Sequence, residues 1–163
     1  ERIITSSSEP VFGGVYKLVG VQDESGSIIP KIKLSENVTK ITTPCFKKLW
    51  RLFDKESNKA LADVITLFDE FIDDSKPYEI FDPEHTWKRK NLDNFKALPL
   101  LVKIFDKGRC CYESPNISEI RNYCKKQVDT LWAEIKRFEN PHNYYVDLSK
   151  NLWDIKDRLI IKR

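Results

Sequence analysis

The 163-residue chain contains no methionine, two histidines, five glycines and four cysteines. Because it opens on Glu1 and has no methionine, it is expected to be part of a longer or processed polypeptide. No apolar run approaches the roughly eighteen residues that cross a bilayer, and no signal-peptide layout marks the start, so a soluble, cytoplasmic protein is expected. Neither G-x-S-x-G nor a glycine-rich phosphate loop after a strand is present, and no His/Cys/Asp cluster stands in for them. That removes the usual signatures of a self-contained enzyme. Cys45, Cys110, Cys111 and Cys124 are not at zinc-ligand spacing, and neighbours such as Cys110 and Cys111 do not form an unstrained bridge. All four are expected to be reduced and to pack as small apolar side chains. Charge of one sign is also missing: 28 basic and 25 acidic residues leave a formal +3. So even a balance does not argue for nucleic acid or a membrane surface.

What is present begins with residues 11–37. Gly13 and Gly14 allow a sharp turn before Val15–Val21, a strand-like run. Asp23–Ser27 is turn chemistry, and Ile28, Pro30, Ile32 and Leu34 then alternate with Ile29, Lys31 and Lys33, the period of a half-buried strand. Together they predict a hairpin, with Pro30 at a strand end or an edge because it has no amide to donate.

A second antiparallel hairpin is predicted from Phe46–Phe53 and Ala60–Leu67. Asp69, Glu70, Asp73 and Asp74 resemble paired carboxylates, but no base, nucleophile or histidine accompanies them, and a solvated acidic loop is the expectation. Tyr78–Phe81 reads as a short strand and Asp82–Asn94 as a polar loop. Residues 97–112 read as strand around the turn at Asp106–Gly108. Then the period changes: Ile117, Ile120, Cys124, Val128, Leu131, Ile135 and Phe138 form one stripe of a long helix, opened by a capping box at Asn116 and Glu119. Tyr144–Leu148 reads as an extended link to a last helix capped by Ser149, with Leu152, Ile155 and Leu159 inward. Trp132 and Trp153 are expected in the packing of these helices. The predicted fold class is α+β, with antiparallel hairpins in the first two thirds and two C-terminal helices packed on the sheet.

The segments GGVYKLV, PKIKLSEN followed by KIT, IFDPEHTWKRK and NPHNYYVDLS resemble the C-terminal portion of bacterial nicotinate phosphoribosyltransferase, along nearly the whole chain. That family makes nicotinate mononucleotide from nicotinate and phosphoribosyl pyrophosphate, with ATP hydrolysis, in NAD biosynthesis. Its phosphate loop, its phosphorylated histidine and its nicotinate pocket precede the portion resembled here. The resemblance therefore implies a mainly structural region without a complete active site, without catalytic residues or a metal site, and inactive in isolation. ATP and magnesium belong to the parent enzyme. It also implies the end of a barrel domain at residues 1–12 and a C-terminal α+β domain at 13–163. The partners implied are the rest of the enzyme and a second copy in a homodimer, with no nucleic acid and no membrane.

Lys17 and Lys33, one on each strand of the opening hairpin, are the candidate phosphate contacts. Lysine ammonium groups neutralise a polyphosphate as point charges, and related nicotinamide phosphoribosyltransferases use strand lysines at what look like corresponding places. Solvent-facing strand residues are the ordinary alternative. The Thr5–Ser8 hydroxyls are expected in a loop. A rival reading is an independent nucleic-acid-binding module built on Lys88, Arg89 and Lys90 beside Trp87 and His85. A solvated or inter-domain face is the ordinary account of that run, and a hydrogen-bonded loop residue that of His85.

Overall fold

The computed structural model describes residues 14–37 and 40–161. Gly13, the Thr5–Ser8 hydroxyls and the expected boundary between residues 12 and 13 lie outside them. The chain divides into two compact units, Glu1–Cys45 and Phe46–Arg163.

In the first unit the predicted hairpin forms from β1 (Gly20–Gln22) and β2 (Ile28–Pro30), antiparallel with Val21 opposite Ile29. Asp23 shapes its turn: one carboxylate oxygen accepts from the amides of Ser25 and Ser27 and from the Ser25 hydroxyl. Pro30 ends β2, as its missing amide requires. The strands are shorter than the alternation implied. Lys17 precedes β1 and Lys33 follows β2, so neither stands on a strand.

The second unit is built on a four-stranded sheet in the order β10–β4–β3–β7. Its centre is the predicted hairpin of β3 (Lys47–Asp54) and β4 (Ala60–Leu67), and β7 (Phe95–Pro99) adds antiparallel to β3. Tyr144–Leu148, expected as a link, supplies β10 (Val146–Leu148), which runs parallel to β4 with Val146 opposite Asp63. The polar segment 82–94 also contains a strand: β6 (Arg89–Leu92) pairs with β5 (Tyr78–Phe81).

Register puts Trp50 opposite Val64 and Leu52 opposite Ala62, so these four residues share one face of the sheet. They form the core with Ile72, Ile80, Leu92 and Phe95. Leu52 and Phe95 are fully buried, each contributing roughly 1.5–3 kcal/mol of apolar transfer. The polar atom that Trp50 brings inside is satisfied, its indole N–H donating to Thr66 Oγ1 at 3.0 Å.

A two-residue turn at Lys107 and Gly108 joins β8 (Phe105–Asp106) to β9 (Arg109–Cys110). Both residues have left-handed φ, 47° and 80°, the conformation a tight hairpin loop demands.

Helix α1 (Ile117–Asp129) opens with the predicted capping box: Asn116 accepts from the Glu119 amide and Glu119 returns the bond to the Asn116 amide. It stops at Thr130, short of Ile135 and Phe138; Ile135 falls in the single turn α2 (Ala133–Lys136). The expected stripe stays at the surface, and none of the helix's residues is buried. Among the described residues its hydrogen bonds to the sheet and its β3–β4 turn come from its C-terminal end: Thr130 O accepts from the Ala60 amide, Asp129 O from Lys59, and Gln127 Oε1 from Arg51. Helix α3 (Lys150–Ile161) packs against β4 and buries Leu152 completely. The class is α+β as predicted, with α3 providing the main helical cover. Cys45 is buried, whereas Cys110, Cys111 and Cys124 are exposed, contrary to expectation; none of the four is in a disulfide. Trp153 is half-buried with its N–H on Pro83 O, while Trp132 is more exposed.

Candidate functional site

In the second unit, the β5–β6 hairpin and the strand Val146–Leu148 wall a hollow of about 340 Å³. The connection between β5 and β6 is closed by Asp82. Its Oδ1 accepts from the amides of Glu84 and His85 at 2.8 and 3.0 Å, and Oδ2 lies 3.0 Å from His85 Nδ1 and 3.8 Å from Lys88 Nζ. Partial burial works against the charge, yet these bonds hold Asp82 below the usual carboxylate range. His85 is thus the hydrogen-bonded loop histidine expected.

The basic run is largely committed. Arg89 donates to Glu79 at 2.6 Å and to Thr86 O, and it lies over the Phe81 ring. Lys88 pairs with Asp82. Lys90, on the rim of the same hollow, has no hydrogen bond or ion pair among the described residues.

Asp147, 3% exposed, also lines the hollow. Burial, and secondarily the charge of Asp82, push its carboxyl up to about 6. No hydrogen bond or ion pair reaches this carboxylate among the described residues. Because every fully enclosed polar side-chain atom there has a partner, the carboxylate must keep its remaining access through the hollow. Ile80, Phe81, Leu92 and Leu61 supply apolar walls, and Leu61, Lys90 and Tyr145 are shared with a larger, shallower hollow of about 820 Å³ that reaches His142 and Trp132. Asp147 escaped the sequence reading. Its signal was an acid between Val146 and Leu148, visible only if that segment is read as a buried strand.

Of the other acids singled out in the sequence, three are tied to the backbone. Glu70 Oε2 accepts from the Leu67 amide, Asp73 from Ser75, and Asp74 from the Ala97 amide. Arg51 grips Asp63 through Nε and Nη2 at 2.8 and 2.9 Å, Tyr144 donates to the same carboxylate at 2.8 Å, and Arg51 Nη1 donates to Gln127. No group of three or more His, Cys, Asp or Glu side chains among the described residues is placed to hold a metal ion.

The structure does not bring Lys17 and Lys33 to a common partner. Lys17 Nζ donates to Lys40 O at 3.3 Å, and the Lys33 amide donates to Thr42 Oγ1 at 3.0 Å. Both side chains are exposed, and neither makes an ion pair among the described residues.

Residues 46–156 match the family model of the nicotinate phosphoribosyltransferase C-terminal domain. The chain is 40% identical over 155 residues to nicotinate phosphoribosyltransferase of Bacillus subtilis, covering 95% of this chain and 31% of that protein. The Caenorhabditis elegans protein of the same name is 32% identical over 93% of this chain and 26% of its own length. The crystal structure of human nicotinic acid phosphoribosyltransferase superposes with a TM-score of 0.65 at 24% identity, over 73% of this chain and 24% of that one. The chain therefore spans less than a third of the length of these relatives.

Proposed function

This chain belongs to the nicotinate phosphoribosyltransferase C-terminal domain family, and from that premise we propose that it serves as the C-terminal region of an enzyme acting on nicotinate and phosphoribosyl pyrophosphate in NAD biosynthesis. The observation that carries the reading is the 40% identity to the Bacillus subtilis enzyme over 95% of the chain. Its part in that enzyme is mainly structural. The β3–β4 core and the capped helices form a scaffold, and the rest of the enzyme, with a second copy of it, is the natural partner for the apolar surface this scaffold leaves uncovered. On this reading residues 1–12 end the barrel domain and residues 13–163 form the C-terminal α+β domain. ATP coupling, magnesium and cytoplasmic location belong to the same proposal for the longer enzyme, and residues of this chain are assigned no step with either group. Among the described residues no helix is long and apolar enough to cross a membrane.

Lys17 and Lys33 are the proposed phosphate contacts. Their exposed side chains, free of ion pairs among the described residues, suit a point-charge role toward a polyphosphate. The test is an assay of the longest native polypeptide that contains this sequence, following nicotinate mononucleotide formed from nicotinate, phosphoribosyl pyrophosphate and Mg-ATP. Turnover is expected, with Lys17→Ala or Lys33→Ala raising KM for phosphoribosyl pyrophosphate. No turnover overturns the family reading for this protein, and unchanged kinetics in both variants overturns the lysine assignment alone.

A further inference from the structure

The hollow beside Asp147 combines an acceptor without a hydrogen-bond partner, apolar walls and the Lys90 ammonium, which makes no direct ion pair although its charge reaches Asp54. Asp147 is 3% exposed and none of the described residues bonds its carboxylate, although leaving such a group without a hydrogen bond costs several kcal/mol. The carboxylate faces a hollow of about 340 Å³, room for several waters of about 30 Å³ each or for one small molecule in their place. That size sits at the lower end of the roughly 300–1,000 Å³ typical of small-molecule sites.

The surroundings choose among ligands. A metal ion needs several oxygen donors, and the other carboxylate in the wall, Asp82, is already occupied by Glu84, His85 and Lys88. Organic cations meet the charge of Lys88, Arg89 and Lys90 at the rim. A neutral N–H edge satisfies Asp147 without that repulsion, flat apolar atoms satisfy Phe81 and Leu92, and an anionic group satisfies Lys90. We propose that this hollow binds an amino-purine nucleoside monophosphate, with the amino edge of the base on the Asp147 carboxylate and the phosphate on the Lys90 ammonium. The site uses residues of the second unit alone and does not rest on the enzymatic reading above.

Adenosine monophosphate, adenosine and ribose 5-phosphate are titrated calorimetrically into the 163-residue chain, and amide chemical shifts of the chain are followed in parallel. Expected are saturable binding of adenosine monophosphate and shifts centred on Ile80, Phe81, Leu92 and Tyr145. Asp147→Asn is expected to weaken adenosine monophosphate and adenosine about tenfold while sparing ribose 5-phosphate, and Lys90→Ala to weaken both phosphates about tenfold, the loss of one charge-assisted contact. The shift map is read on the unaltered chain, so it stands even if a variant misfolds. No binding at millimolar adenosine monophosphate, shifts centred elsewhere, or equal affinity in a folded Asp147→Asn chain would each overturn the proposal.

Discussion

The Ser149 hydroxyl donates to Glu70 Oε2 at 2.6 Å across 79 positions of sequence. The same carboxylate oxygen accepts the Leu67 amide at 2.7 Å, and Oε1 accepts the Asn151 side chain at 2.6 Å. One carboxylate therefore fastens the end of β4 to the start of α3, while the Ser149 amide donates to Ile65 O and its Oγ accepts weakly from the Leu152 amide. An acid that looked like a solvated loop residue is the joint between sheet and helix.

Glu70→Ala is accordingly expected to destabilise the chain by about 1–3 kcal/mol, the cost of stranding partly buried donors, with fraying at the start of α3. Glu70→Gln keeps an acceptor and should lose less. Asp69 is exposed and makes no hydrogen bond among the described residues, so Asp69→Ala should stay within roughly 0.5 kcal/mol. Urea unfolding of the three variants checks the order, and a loss in Asp69→Ala equal to that in Glu70→Ala would refute it.

The Arg51–Asp63 pair is the other joint. Its two parallel bonds lie on the face of β3 and β4 opposite the apolar core, and Tyr144 closes the site from the segment leading to β10. Burial, then the bond to Asp63, raises the Tyr144 phenol above its usual range, and the same carboxylate raises the Arg51 guanidinium. Asp63→Asn should cost about 2–4 kcal/mol because it leaves an arginine with little exposure facing a neutral amide. Tyr144→Phe should cost about 1 kcal/mol, and a double-mutant cycle between the two sites should show coupling. Additive losses would mean that Tyr144 does not stabilise the charged pair.

Asp147 makes stability depend on pH in the opposite sense to most acids. Its carboxyl is raised from 3.8 to about 6 in the folded chain, so the folded state holds the proton more tightly than the unfolded one. The resulting stabilisation is complete below about pH 4 and lost as pH rises through 6. Asp147→Asn should thus gain roughly 1–2 kcal/mol relative to the unaltered chain at pH 7–8, after allowance for screening through the hollow, and nothing near pH 4. Urea midpoints measured across this range provide the check. A pH-independent difference between the two chains would mean that Asp147 titrates normally.

Local chemistry accounts for what was legible in the sequence. The turn between β3 and β4, the Asn116–Glu119 box, the Ser149 cap and the turn at Lys107 and Gly108 each use residues within a few positions of one another. Partners far along the chain account for what was not. In β6, Arg89, Lys90 and Asn91 are exposed and only Leu92 is buried, so the strand exists because β5 is there to pair with it. β10 becomes a strand by lying parallel to β4, which no short-range pattern announces. The hollow at Asp147 follows from both, and it was illegible for that reason. Lys17 and Lys33 show the converse: alternation continued past the residues that pair, and the strands ended where partners ran out.

Helix α1 carries the last prediction. The helical period of its stripe was correct, but Ile117 is 72% exposed and Ile120 51% exposed. The capping box and the ties at Thr130 hold the helix from its ends, so its fold does not depend on covering that stripe. An uncovered apolar face should bind a hydrophobic dye or another copy of itself. Exchanging both Ile117 and Ile120 for lysine should therefore reduce dye fluorescence and concentration-dependent sedimentation without lowering stability by more than about 0.5 kcal/mol. If the unaltered chain stays monomeric and dark at high concentration, the stripe is not a contact surface. If the exchange instead unfolds the chain, the stripe packs inward in solution and the surface assignment fails.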